Sequence, residues 1–386
     1  MSETKFSNFT NEDGSTGPDL VGITSFTSPY YFVPPSGNTA QRPSGEGLAP
    51  GMLRFNTDIG RLEVWRADHW GTILGESPNL GISTNPAGTS GGLGTRGVFG
   101  LGFSSPANLK VINYITISTL GNAIVFGDLL TTTRQRCACS SSTRGLIAGG
   151  YTGPAYINVI EFITISSTGN SADFGDLSTS SRASLPGSCA NATRGVFAGG
   201  YVAPAVTNVI DFVTISSTGD AKDFGDLSSS IGKEVIGGLS SSIRGIFGGG
   251  TTPTSNVIEF ITISTIGNST DFGDLTGARR TKGFSNATRG LFGGGYTPGA
   301  TNTIDFITIA TLGNATDFGD MLAANDAYGT CASSTRGVFA GGNIPSGETS
   351  VIQYVTILTT GNAQDFGDLT QAGAQVVGMS NGHGGL

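Results

Sequence analysis

The chain has 386 residues, of which 62 are glycine and only 12% are charged, and its formal net charge is −8. This acidic balance disfavours a nucleic-acid-binding surface, because neutralising phosphates requires a basic patch. No apolar run approaches the roughly 20 residues that a membrane-spanning helix needs, and the polar, acidic start is unlike a secretory signal peptide. The sequence therefore predicts no nucleic-acid partner and no membrane insertion.

Residues 1–35 are rich in Gly, Ser, Pro and Thr and show no clear period. This composition predicts an extended N-terminal arm. The arm ends in an aromatic patch of Tyr30, Tyr31 and Phe32, which we interpret as candidate anchoring residues.

Residues 36–78 predict a small β module. Leu53 and Phe55, and then Leu62 and Val64, alternate with polar residues on either side of an Asn-Thr-Asp-Ile-Gly turn. Alternation across a turn is typical of a β-hairpin. A third short strand is expected near Trp70.

Residues 79–386 contain one phrase repeated six times. An Arg-Gly step and a Phe-Gly-Asp step recur in phase, with 45 to 50 residues between successive arginines. The arginines are Arg96, Arg144, Arg194, Arg244, Arg289 and Arg336, and the aspartates are Asp128, Asp176, Asp226, Asp274, Asp320 and Asp368. A period near 50 predicts propeller blades rather than a helical solenoid.

Each copy predicts four strands. In the third copy they are residues 195–200, 208–215, 222–227 and about 235–239. Apolar residues on both faces of the second of these suit a sheet that is covered on both sides. Residues 374–383 align with the segment that precedes each Arg-Gly step, so we expect the C-terminal strand to complete the first blade and close the ring.

The array resembles kelch-type propellers. The matching features are the double glycines, such as Gly149-Gly150 and Gly199-Gly200, the Asn-Val-Ile strand that follows, and an arginine after the third strand at Arg134, Arg182 and Arg280. Phe-Gly-Asp-Leu stands where kelch blades usually carry tryptophan, and three copies have Gly232, Asp326 and Ala374 in place of that arginine. The resemblance implies an all-β fold with a six-bladed kelch-like β-propeller.

The N-terminal part resembles a module of tailed-bacteriophage virion proteins, especially those of marine cyanophages and pelagiphages. The likeness covers about 50 residues, from Val21 through Gln41-Arg42-Pro43 and Gly51–Asp58 to Trp70. It implies a virion component, often a tail fibre or fibre-like appendage, that contacts other virion proteins through its N-terminal region. Homo-oligomers are common among such fibres.

Apparent catalytic motifs fall on the repeat and are interpreted as scaffold. Gly92–Gly97 matches a dinucleotide fingerprint but lacks the strand before it and the helix after it. Asp-Phe-Gly recurs five times without the partners it has in a kinase. The histidines, His69 and His383, are expected at the surface. The sequence predicts no enzyme activity, no cofactor and no metal.

Three of the four cysteines share one repeat position. Cys139, Cys189 and Cys331 lie five residues before a repeated arginine, where other copies carry Leu239 and Phe284. This pattern predicts a buried apolar position filled by free cysteine.

The repeated arginines and aspartates predict a ring of ion pairs. Arginine forms bidentate pairs with carboxylates, so we expect each arginine to contact a Phe-Gly-Asp carboxylate. The alternative is that the six arginines line a channel and bind an anion.

The loop after each double glycine varies between copies. Its candidate recognition residues are Phe103, Tyr151, Tyr156, Tyr201, Thr251, Tyr296 and Asn343. Loops on a rigid scaffold often carry recognition, so these residues are candidates for contact with a host-surface glycan or protein. The alternative is that proline and tyrosine only stiffen the loops.

The expected function is that of a non-enzymatic virion structural protein, on the tail or capsid surface, whose propeller binds a host receptor or a neighbouring subunit. Capsid decoration and a tail adaptor or nozzle component remain alternatives. A glycan-degrading tail enzyme would need an acidic pair that breaks the repeat, and the sequence has none.

Overall fold

The computed structural model describes residues 34–44, 48–72, 95–178, 187–202, 204–228 and 234–386. The predicted anchoring residues Tyr30, Tyr31 and Phe32 lie outside these ranges. Regular structure within them consists of strands and one 3-10 helix, which confirms the predicted all-β class. No helix in these ranges is long and apolar enough to cross a lipid bilayer. The chain divides into two compact units, Met1–Glu76 and Ser77–Leu386.

The N-terminal unit contains a four-stranded sheet, with the hairpin and the third short strand that the sequence predicts. A 3-10 helix at Thr39–Gln41 precedes the hairpin. The first pair of strands is parallel and the other two pairs are antiparallel. In spatial order the strands are Ser36–Gly37, Leu53–Asn56, Arg61–Trp65 and Trp70–Thr72.

Polar side chains occupy the covered face of this N-terminal sheet. Glu63 is fully buried and accepts hydrogen bonds from Arg42 Nε at 3.2 Å and from Asn56 Nδ2 at 3.1 Å. The hydrogen bond from Arg42 lowers the pKa of the Glu63 carboxyl against the opposing effect of burial. On the other face, Leu53 and Leu62 are 47% and 38% exposed. The apolar face of the N-terminal sheet is therefore open to solvent.

The second unit contains six sheets with four main antiparallel strands each, which we number 1 to 6. The first strands are Val377–Ser380, Cys137–Ser140, Gly187–Ala190, Gly237–Ser240, Arg280–Ser285 and Gly329–Ala332. The second strands are Arg96–Gly100, Arg144–Tyr151, Arg194–Ala198, Arg244–Gly248, Arg289–Thr297 and Arg336–Ala340. The third strands are Val111–Thr116, Tyr156–Thr164, Val209–Thr214, Val257–Thr262, Thr303–Thr308 and Val351–Thr356. The fourth strands are Ile124–Asp128, Ala172–Asp176, Lys222–Asp226, Thr270–Asp274, Thr316–Asp320 and Gln364–Asp368.

Several loops between second and third strands form short pairings of their own. In sheet 5, Gly299–Ala300 pairs with the end of the second strand. The two-stranded hairpins of sheets 1, 3 and 6 are Phe103–Ser104 with Ala107–Asn108, Tyr201–Val202 with Ala205–Val206, and Asn343–Ile344 with Gly347–Glu348. These hairpins give the variable loops a defined backbone.

Sheet 1 joins the two ends of the repeat array. The C-terminal strand Val377–Ser380 pairs antiparallel with Arg96–Gly100, with Val377 opposite Gly100 and Ser380 opposite Gly97. This is the pairing that the sequence predicts for the C-terminal segment. Three of its side chains, Val376, Val377 and Met379, are at most 4% exposed.

Hydrogen bonds connect the first strands of the six sheets in cyclic order. In each, a serine or threonine hydroxyl donates to a carbonyl oxygen of the preceding sheet, and sheet 1 donates to sheet 6. The donor and acceptor pairs are Ser188 to Ala138, Ser240 to Ala190, Ser285 to Ser240, Thr330 to Gly283, Ser380 to Ala332 and Ser140 to Ser380, with distances of 2.5–2.8 Å. The series returns to its starting sheet.

The Phe-Gly-Asp triplet ends each fourth strand and packs against the next sheet. In sheet 4, Phe272 is buried, and its ring lies edge-on to Phe260 at a centroid distance of 6.1 Å. A Cβ on Gly273 would lie 2.5 Å from the backbone of Gly313 in sheet 5. The six contacts join Gly127 to Gly169, Gly175 to Gly219, Gly225 to Gly267, Gly273 to Gly313, Gly319 to Gly361 and Gly367 to Gly121. The triplet is an inter-sheet contact.

One polar residue is buried in the third strand of every sheet, at Asn113, Glu161, Asp211, Glu259, Asp305 and Gln353. Each accepts a hydrogen bond from the segment after the fourth strand of the preceding sheet. Glu161, for example, accepts the backbone N–H groups of Leu130 and Thr131 at 3.0 and 2.9 Å. Asn113, Glu161, Asp305 and Gln353 satisfy backbone donors in this way, and Asp211 and Glu259 satisfy the hydroxyls of Ser178 and Ser228.

Candidate functional site

The predicted ion pairs between the repeated arginines and the Phe-Gly-Asp carboxylates are wrong: none occurs among the described residues. Arg194 instead lies 4.6 Å from the ring centroid of Phe212 and donates from Nη1 to the Ile263 carbonyl of the next sheet at 2.9 Å. The other five make the same two contacts. Strand register explains the difference, because Arg194 and Asp226 face opposite ends of the third strand.

The Phe-Gly-Asp aspartates share a backbone contact, and the carboxylates of Asp128 and Asp368 also contact Lys110 and Ser350. The N–H of Asp226 donates to Asn268 Oδ1 of the next sheet at 3.0 Å. The N–H groups of Asp128, Asp274, Asp320 and Asp368 also donate to an asparagine of the next sheet, and that of Asp176 donates to Asp220. Their carboxylates are half-buried or exposed. Neither the arginines nor these aspartates line a cavity described below.

Four of the seven candidate recognition residues lie together in one row. Arg134 lies between Phe103 and Tyr151, with its guanidinium carbon 5.0 and 5.3 Å from the two ring centroids. The Tyr151 ring lies 4.8 Å from that of Tyr156, which lies 5.4 Å from that of Tyr201. Cation–π and aromatic contacts thus link loops from three sheets.

The other three candidate recognition residues contact charged residues. Arg280 lies 4.6 Å from the ring centroid of Tyr296 and donates from Nε to Asp326 Oδ1 at 3.1 Å. The backbone of Asn343 donates to the Asp326 carbonyl at 2.7 Å, and that of Thr251 donates to the Glu234 carbonyl at 2.9 Å.

One register position carries a different charge in different sheets. It is the residue paired with the first loop residue, and it is Ala374, Arg134, Glu234, Arg280 and Asp326 in sheets 1, 2, 4, 5 and 6. Arg134 and Arg280 are predicted as repeat features, whereas the repeat alignment places Gly232 at the position that Glu234 occupies. Charge variation at this position of a repeated scaffold was the signal that could have identified the site.

Three of these residues, Glu234, Arg280 and Asp326, line a cavity of about 330 Å³, which we call the loop-face pit. The lining comes from sheets or links all around the array, and includes both aromatic and charged side chains. The lining residues are Gln135, Tyr156, Tyr201, Glu234, Val235, Arg280, Asp326, Ala327, Asn343 and Gln375. Of the predicted recognition residues, Tyr156, Tyr201 and Asn343 line the pit.

Four residues of the pit have a left-handed backbone. Gln135, Val235, Ala327 and Gln375 have φ values of 60°, 55°, 58° and 52°. Such values are uncommon for residues other than glycine and are outliers for a β-branched residue such as Val235. Strained backbone of this kind clusters at ligand sites. The fixed bend places each following segment at the start of a first strand.

A second cavity, of about 90 Å³, lies among the first strands of the sheets and is called here the central channel. Cys139, Cys189 and Cys331 line it and are buried, as predicted from their repeat position. Burial raises the pKa of all three thiols, so they are held as neutral thiols. Burial also lowers the pKa of Lys282, another lining residue, to about 8.

The C-terminal tail enters one end of the central channel. His383 Nε2 lies 2.6 Å from the Ser140 carbonyl, and its Nδ1 accepts the N–H of Gly385 at 3.1 Å. The N–H of Gly384 donates to the Ser285 carbonyl at 2.9 Å. The prediction of a surface position is therefore wrong for His383, which is half-buried. His69 is exposed, as predicted.

The position of His383 in the C-terminal tail predicts that the stability of the protein depends on pH. Burial lowers the pKa of His383 against the opposing effect of its hydrogen bond to Ser140. A proton on Nδ1 would also remove the bond from Gly385. Its stabilising contribution is therefore complete above the unfolded pKa of about 6.5 and is lost as the pH falls toward the folded pKa. Between about pH 7.5 and 5, the urea midpoint of the native chain should fall further than that of His383→Gln. An equal fall in the urea midpoint of both proteins would show that His383 does not make the stability depend on pH.

No group of three or more His, Cys, Asp or Glu side chains that could hold a metal ion is present among the residues described. The loop-face pit combines aromatic rings with carboxylates and amides, an arrangement that suits reversible binding of a ligand.

Comparison with protein-family models and with curated proteins finds no match for this chain.

Proposed function

We propose that the second unit is a six-bladed kelch-like β-propeller. The six sheets, the cyclic hydrogen bonds between first strands and the pairing of the C-terminal strand with Arg96–Gly100 support this interpretation. Closing the ring through a strand from the chain terminus removes exposed sheet edges.

The protein is proposed to be a non-enzymatic structural component of a bacteriophage virion, of the tail-fibre type. Resemblance of the N-terminal part to phage virion modules supports this role. The open apolar face of the N-terminal sheet, with Leu53 and Leu62 exposed, is a suitable surface for attachment to another virion protein.

The propeller binds a host-surface receptor through its loop face, by which we mean the variable loops and the loop-face pit that they border. One observation carries this assignment: the scaffold is nearly the same in every sheet, yet the charge at the position beside the loop-face pit changes from Arg134 to Glu234, Arg280 and Asp326. A scaffold needs no such variation, whereas a site for one asymmetric ligand does.

Adsorption competition tests this role. Purified full-length protein should bind host cells and reduce adsorption of the phage that carries it. Asp326→Ala, which leaves Arg280 without its carboxylate partner, should compete less well. Wild-type protein that binds neither cells nor receptor extracts would contradict receptor binding.

Capsid decoration or a tail adaptor is the second candidate. Ile124 and Val125 in the outer strand of sheet 1 are 59% and 55% exposed, where the other sheets carry a polar or small residue followed by aspartate. Exposed apolar patches often mark contacts between subunits. Binding to virions without binding to cells, together with a homo-oligomer broken by Val125→Asp, would favour this candidate.

A further inference from the structure

The loop-face pit has an aromatic wall that suits the C–H face of a ring-shaped ligand. The Tyr156 and Tyr201 rings lie 5.4 Å apart at an interplanar angle of 61°, and both line the pit. Aromatic faces attract surfaces that carry partly positive C–H groups, as the faces of sugar rings do. A volume of about 330 Å³ is near the lower end of the roughly 300–1,000 Å³ of small-molecule sites, which suits a mono- or disaccharide.

The polar wall of the pit includes two carboxylates. They belong to Glu234 and Asp326, and an ionised carboxylate only accepts hydrogen bonds. A ligand that brings O–H groups can donate to them.

Charge excludes an anionic ligand. Arg280 is the cation of the lining, and it is held by Asp326 and lies against Tyr296. One arginine against two carboxylates leaves the lining with a net formal charge of −1. A ligand carboxylate or sulfate would meet repulsion here.

We propose that the loop-face pit binds a neutral saccharide, whose ring stacks on one of the Tyr156 and Tyr201 rings and contacts the other, and whose hydroxyl groups donate to Glu234 and Asp326. The proposal rests on the proposed function of the loop face as a receptor-binding surface. It names the ligand class of that face, with no covalent step involved.

Purified full-length protein tests the ligand class without cells or virions. Isothermal titration with glucose, galactose, mannose and N-acetylglucosamine, and with glucuronic and galacturonic acid, should detect at least one neutral sugar and neither acid. Tyr201→Thr places the residue of the equivalent Thr251 at this position and should weaken that binding about tenfold. Glu234→Gln should weaken binding of the neutral sugar and reduce the discrimination against the acids.

Tyr354→Phe is the matched control. Tyr354 lies under Arg336, outside the pit, where four of the other five sheets carry phenylalanine, so this variant should bind like the native chain. No binding of a neutral sugar at concentrations of tens of millimolar, preferential binding of an acid, or equal binding by Tyr201→Thr would overturn the proposal. Cell binding that survives Tyr201→Thr would overturn the pit as the sugar site while leaving receptor binding intact. Sugar binding without cell binding would leave the pit intact as the sugar site and would overturn receptor binding.

Discussion

Removing residues 376–386 should leave a chain that does not fold to a stable array. The deletion removes the first strand of sheet 1, which pairs with Arg96–Gly100. It also removes the buried side chains of Val376, Val377 and Met379, each worth about 1.5–3 kcal/mol of burial. Their sum is comparable with the total stability of about 5–15 kcal/mol that is usual for a protein domain.

The deletion also exposes the edge of a buried strand. Every residue of Arg96–Gly100 is buried in the native chain, and an uncovered apolar edge is a site of aggregation. Soluble yield, circular dichroism and size-exclusion chromatography should therefore show loss of folded protein. Thermal unfolding of the folded fraction would complete the measurement.

Truncation after His383 is the matched control for this deletion. It keeps the strand Val377–Ser380 and removes the bonds from Gly384 to Ser285 and from Gly385 to His383. It should remain folded, with a loss of about 2 kcal/mol. If the longer deletion were as stable as this truncation, the C-terminal strand would not be needed to complete sheet 1.

Replacing Gly273 by alanine should cost about 3 kcal/mol or more of unfolding free energy, as read from urea denaturation. Gly273 has a φ of +148°, and a Cβ would lie 2.5 Å from the backbone carbonyl group of Gly313. The Gly313 turn cannot retreat freely, because its N–H donates to the Phe272 carbonyl at 2.9 Å. Backbone strain and a backbone clash therefore act together.

Two further glycines separate these effects. Gly313→Ala meets no atom within 4 Å but has a φ of +149°, so it should show the cost of strain alone. Gly277→Ala has open space and an ordinary φ and should change stability by less than about 0.5 kcal/mol. Equal stability of the Gly273 and Gly277 variants would exclude the inter-sheet contact as the reason for the repeated glycine.

The sixfold repeat showed that the Arg-Gly and Phe-Gly-Asp motifs belong to the scaffold, but the strand register determined which residues they contact. The Arg-Gly and Phe-Gly-Asp steps could be recognised as scaffold because each occurs six times. The contacts of these residues could not be deduced from the sequence. Arg194 and Asp226 belong to the same copy, but they face opposite ends of its third strand. The buried Glu161 and its equivalents were missed because their partners belong to the preceding sheet.

The candidate site was only partly predictable for the same reason. Variable loops singled out Tyr156, Tyr201 and Asn343, which line the pit. Glu234, Arg280 and Asp326 lie 16 or 17 residues before the loop residues they face, and the links before them differ in length. An alignment by motif therefore placed Gly232 where the structure has Glu234.

The sequence by itself determined the all-β class, the six copies, the hairpin of the N-terminal sheet and the pairing role of the C-terminal strand, because periodicity and alternation are local properties of the chain. Only the tertiary structure decided that six arginines bind isoleucine carbonyls, that His383 enters the central channel and that charges from distant copies surround one pit. Those contacts join residues of different sheets, and their partners are set by how neighbouring sheets pack rather than by spacing along the chain.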